Sequence, residues 1–136
     1  MRRQSGQSLV EWAISAFVLM LFALGILAVG QIVGEDMAVR SAATQAAFAA
    51  ARAPSAQQAV LAGQDAATQA TRGSQILDLQ VKVDTGGFVR GGTLTVTARG
   101  FVSLAAFPIV SQVLGQRVPL SWQASALIEP YRSRSA

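Results

Sequence analysis

Few residues in this chain could do chemistry. Histidine and cysteine are both absent, which removes the commonest general base, the usual zinc ligand, thiolate sites and any disulfide framework. Serines without a histidine or a well-placed lysine make a poor nucleophilic centre. The carboxylates Asp78, Asp84 and Glu129 do not share one loop at metal-ligand spacing, and the pairs Gly86-Gly87 and Gly91-Gly92 read as turns rather than a phosphate cradle. These residues predict a protein that is not an enzyme, with no metal and no cofactor. One ionisable group stands out: Glu11, at the mouth of an uncharged run from Trp12 to Gly34. An ionised side chain at the centre of a membrane helix costs about 2.5–3.5 kcal/mol on insertion scales, and less near the interface. A carboxylate in that place calls for a partner.

The composition agrees with a membrane setting. Of 136 residues, 51% are hydrophobic and 13% charged, which argues against a freely soluble monomer. Eleven basic residues against seven acidic ones give a net charge of +4, and the arginines are scattered rather than gathered on one face, so no nucleic-acid partner is expected. The tail Arg132-Ser133-Arg134 reads as a solvated end. As a helix, Trp12 to Gly34 would extend about 34 Å against a hydrocarbon core of about 30 Å. Arg2 and Arg3 flank one end, and Glu35 and Asp36 the other. The positive-inside bias therefore puts the N-terminus in the cytoplasm and the remainder outside.

Read together, Arg2-Arg3-Gln4-Ser5-Gly6, then Gln7-Ser8-Leu9-Val10-Glu11-Trp12 and the apolar run, resemble a type IV prepilin N-terminus. The closer resemblance is to the tight-adherence group, the Flp pilins and the TadE/TadG-like pseudopilins, in which an aromatic residue typically follows the glutamate. Trp12 fills that place here. Flp pilins are shorter, and the hundred or so residues that follow favour a TadE-like minor pseudopilin. The resemblance implies cleavage between Gly6 and Gln7 by an inner-membrane prepilin peptidase, at a residue whose missing side chain lets the enzyme approach the backbone. It also implies that Glu11 pairs with the new α-amine of Gln7 on a neighbouring subunit. Other pilins and pseudopilins, an assembly ATPase and a membrane platform are the implied partners. The outcome would be a tight-adherence pilus serving adhesion or biofilm formation, with the C-terminal part in the periplasm.

Two rival readings remain. One is a pseudopilin of a type II secretion or DNA-uptake apparatus, although Gln7 stands where those proteins usually carry Phe. The other is an uncleaved single-pass anchor with a periplasmic binding module. An ordinary signal peptide would have an apolar core of about 7–15 residues, shorter than this one.

The elements that position these residues can be read from periodicity. The expected division is a leader at 1–6, a long helix at 7–53 with a transmembrane segment at about 12–34, and a small α+β periplasmic domain at 54–136. No proline interrupts before Pro54, and the alanine-rich stretch beyond Asp36 favours helix. Gly30 and Gly34 form a small-xxx-small spacing suited to helix packing, Trp12 suits an interfacial anchor, and Gln31 suits either the outer interface or a bond to a neighbouring helix. Val39, Ala43, Ala46, Ala47 and Ala50 define a narrow packing face. Ser55 and Gln58 suggest a capping box opening a second helix on the domain surface, stopped by Gly73.

Period-two alternation then predicts three strands. Leu77, Leu79, Val81 and Val83 mark the first, and Leu94, Val96, Ala98 and Val102 the second. Val118, Leu120, Trp122, Ala124 and Ala126 mark the third, which is expected to end near Pro130 with Trp122 in the core. Between the second and third, Ala105 to Leu114 reads as a short helix or apolar loop. The fold expected is pilin-like α+β, a long N-terminal helix packed on a three-stranded antiparallel sheet.

Overall fold

A computed structural model describes residues 2–129, with side chains from residue 4 onward. Pro130 and the arginines of the tail lie outside the described residues. The elements run α1 (Arg2–Ala51), α2 (Ala56–Ala70), β1 (Ile76–Asp84), β2 (Thr93–Ser103), α3 (Pro108–Leu114) and β3 (Arg117–Leu127). The strands form one antiparallel sheet in the order β1-β2-β3. This is the expected α+β architecture.

At 50 residues, α1 extends about 75 Å. It begins at Arg2 rather than near Gln7, because a lone glycine at position 6 costs only about 1 kcal/mol in a helix and nothing else there breaks one. Its C-terminal half is the spine of the domain. Val39, Ala42, Ala43, Ala46 and Ala50 are fully buried and Ala47 nearly so, at the three-four spacing that places them on one stripe. Against this stripe lie Leu94, Val96 and Ala98 of β2, with Ala126 of β3 and the partly buried Val81 and Val83 of β1. Alanines across so much of the helix face let its backbone lie close to the sheet.

The second helix starts at its predicted cap. Ser55 Oγ accepts from the Gln58 N–H at 3.3 Å, satisfying one orphan donor. The reciprocal bond of a full capping box is absent among the described residues, so half of the motif forms. Ala59, Gly63 and Ala67 are the buried stripe of α2. Gly63 went unread in the sequence, yet a Cβ there would stand 2.9 Å from Val83 Cγ2 and 3.4 Å from the Ala46 carbonyl oxygen. Gly73, φ +81°, follows the helix, whose C-cap is Thr71.

Two expectations about the strands need correction. The register of β1 against β2 shifts between Leu77 and Gln80, with Asp78 at φ +51°. The extra residue moves the inward face, so Ile76 packs into the core and Leu77 is 37% exposed. Simple alternation had placed Leu77 inside. Trp122 does lie on the inner face, opposite Ala98, but it is 38% exposed rather than buried. Its strand is the sheet edge, and the Arg40 guanidinium of α1 covers its ring at 4.1 Å from the centroid. Arg40 is itself held by Asp36 at 2.9 Å.

Candidate assembly interface

The residues singled out for function all lie on α1, from Gly6 to Gly34. There the helix changes character: below Ala28 most of its apolar side chains are uncovered, with Leu21 and Leu24 lining a cleft with residues 106–110 of the domain. Leu9, Val10, Trp12, Phe17, Leu19, Phe22 and Ile26 are each more than half exposed. This is the one helix among the described residues that is long and apolar enough to cross a membrane. Only 6% of its most apolar stretch is buried by the protein, which separates it from the core helix of a soluble fold.

Gly6 and Gln7 are exposed in the first turns of α1, and nothing lies within 4 Å of where a Gly6 side chain would begin. Glu11 follows one turn later on the same continuous helix and is also exposed. Within a single chain, no ion pair reaches it among the described residues. An exposed carboxylate is flanked by Val10 and Trp12, 59% and 71% exposed, on a helix whose next charged residue is Glu35. In lipid such a group is stabilised by an opposite charge brought from outside the chain. Trp12, next to it, is among the most exposed large apolar residues of the helix.

Gly30 and Gly34 are exposed, with open space around each. The domain does not use them. They lie on the opposite side of α1 from Ala28, Gln31, Ile32 and Glu35, the positions turned toward the domain. Gln31 settles one alternative: its Nε2 donates to Gln75 Oε1 at 3.1 Å, a bond to the domain of the same chain. Glu35 joins this contact, its Oε1 accepting from the Gln75 N–H at 2.9 Å, while Oε2 is buried without a partner. These contacts escaped sequence reading because Gln75 sits in an irregular link between α2 and β1.

No three His, Cys, Asp or Glu side chains converge as metal ligands would among the described residues. The outer face of the sheet carries a polar hollow lined by Gln80, Lys82, Thr97 and Arg99. What the geometry offers instead is a bare apolar helix with one acid near its start and a small-residue pair on its free side.

No curated protein and no solved structure matches the chain significantly. The family model for TadE-like proteins matches residues 6–52. That segment starts at Gly6, includes Glu11 and the whole apolar run, and closes at the end of α1. Over its long helix, the chain is similar to TadE-like proteins.

Proposed function

We propose that this protein is a minor pseudopilin of a tight-adherence (Flp, type IVb) pilus. It inserts through α1 as a precursor, is cleaved between Gly6 and Gln7 by a prepilin peptidase, and assembles through the exposed half of that helix. The observation that carries this reading is the coincidence of the TadE-like match with the uncovered apolar length of α1. A helix that its own chain leaves mostly uncovered is covered first by lipid and then by other helices. Hydrophobic burial supplies affinity in this mechanism, and the Glu11 carboxylate with the Gln7 α-amine of the next subunit supplies register. Small residues at Gly30 and Gly34 offer a close-approach face away from the domain. The partners are the inner membrane, the peptidase, sibling pilins and pseudopilins, and the ATPase and platform that drive assembly.

The decisive measurement is the intact mass of the protein isolated from its native host. Loss of residues 1–6 is expected. Mature protein that still begins at Met1 would overturn the reading and leave a tethered domain that does not assemble this way.

A further inference from the structure

The connection between β2 and β3 is the part of the domain that the proposed function leaves unused. Residues 104–116 drop from the foot of the sheet and return to it, the neck closed by the Leu104 N–H donating to the Gln116 carbonyl at 2.9 Å. No charged residue occurs in this excursion. It hangs beside the membrane-spanning part of α1: Leu21 and Leu24 line one cleft with Phe107, Pro108 and Ile109. The same short helix, α3, leaves Ile109 50%, Val113 81% and Leu114 55% exposed.

A polar belt marks the level above it. Gln31 with Gln75, Glu35 with the Gln75 N–H, and Arg117 with Asp78 at 3.2 Å all sit at the foot of the sheet. Beneath that belt, α1 down to Trp12 and the whole excursion are uncharged. From Gln31 to Leu24 and Leu21 is about 10–15 Å along the helix axis, within the roughly 15 Å of one leaflet's hydrocarbon. Part of the excursion's backbone is paired as such a medium requires, since unpaired polar groups are costly there. The N–H groups of Phe107, Ser111 and Gly115 bond to the carbonyls of Leu104, Phe107 and Ser111, Ser111 Oγ donates to the Pro108 carbonyl, and Pro108 has no N–H to satisfy.

We propose that residues 104–116 form a second membrane contact, with α3 lying among the acyl chains of the leaflet on the domain's side, against the spanning helix. The inference rests on the reading of α1 as a membrane span. Lipid is the occupant, rather than a second copy of the chain, because the exposed apolar side chains of α3 are bulky Ile, Val and Leu, with Gln112 the one polar side chain exposed on it. Helices that pack in membranes do so through small residues, and here those lie on the other face, at Gly30 and Gly34. The contact fixes the height and rotation of the domain against its own span. It also moves the outer boundary of the hydrocarbon from Gly34 to about Gln31 and the inner boundary from Trp12 to about Leu9, which draws Glu11 just inside the apolar slab.

The chain has no native cysteine, so single labels report cleanly. Full-length Leu19→Cys, Val113→Cys and Val89→Cys variants, each at an exposed position, would carry an environment-sensitive fluorophore in phosphatidylcholine–phosphatidylglycerol vesicles with brominated acyl chains. Quenching at Val113 comparable with Leu19, and several-fold above Val89, is expected. Val113 behaving like Val89 while Leu19 is quenched would overturn the second contact and leave the span standing. An unquenched Leu19 would remove the span, and the inference with it. Shielding of Val113 from both lipid and aqueous quenchers that grows with the protein-to-lipid ratio would replace lipid by a second copy and overturn the proposal.

Discussion

The role proposed for Glu11 rests on what surrounds it rather than on any contact within the chain. It is exposed, Val10 and Trp12 beside it are exposed, and the single chain offers it no ion-pair partner among the described residues. We expect Glu11→Ala to insert normally and to drop out of sheared pili; unchanged incorporation, measured by immunoblot of the sheared fraction, would remove the proposed pairing. A second residue acts by its lack of a side chain. A Cβ on Gly100 would overlap Ile76 Cγ2, so Gly100→Ala should cost about 1–3 kcal/mol in overpacking. Thermal unfolding in detergent would read this as a lowered midpoint, partly restored by Ile76→Val in the same chain. The Arg40 stack on Trp122, at 4.1 Å, lies at an exposed edge and contributes about 0.5–1 kcal/mol on the usual scale for such contacts.

At the level of elements, α1 is two helices in one. Its upper half is alanine-rich and narrow because a sheet and a second helix must both approach it; its lower half is bulky and apolar, and its own chain approaches it at Leu21 and Leu24. α2 depends on α1 for its position, through Ala59, Gly63 and Ala67, and on Ser55 for its start. Ser55→Ala leaves the Gln58 N–H without its acceptor and should cost about 1 kcal/mol, seen as a small fall in the unfolding midpoint with membrane insertion intact. An unchanged midpoint would show that the cap contributes nothing measurable. The sheet behaves differently from a repeat of equal strands: β2, central, buries Leu94, Val96, Ala98 and Val102 completely, while β1 and β3 carry the irregularities, a bulge in one and Pro119 with the half-covered Trp122 in the other.

For the whole molecule, the arrangement is a rod with a domain clasped to its upper half. Membrane attachment is the property this shape serves. The protein should remain in the pellet after alkaline carbonate extraction, and protease added to the outside of spheroplasts should digest the domain, consistent with an N-terminus in the cytoplasm. Release into the carbonate supernatant, or full protection from the protease, would contradict the expected single pass or its orientation. Under the proposed function, lipid and sibling subunits cover the same length of α1 in turn, so insertion and assembly would draw on the same side chains. Variants on the Gly30 and Gly34 side should therefore impair assembly before they impair insertion.

Much of this protein was legible before any coordinates. The span, the long helix, the Ser55 start and the three strands all follow from local rules, because period, propensity and capping act over a few residues. The Glu11 anomaly is legible for the same reason: a charge beside a long apolar run needs no tertiary knowledge to be noticed. What the tertiary structure alone decided concerns residues far apart in the chain. A bulge at Asp78 turned Ile76 inward and Leu77 outward, since register is set by the partner strand. An edge position left Trp122 under Arg40 instead of in the core, because no further strand lies beyond it to bury the ring. Gly63 and Gly100 became necessary only once Val83 and Ile76 were packed against them. The place of α3 beside Leu21 and Leu24 likewise came from the closing of a long connection beneath the sheet. Sequence patterns record which faces are apolar; only the packed chain shows which neighbour, or which solvent, covers each of them.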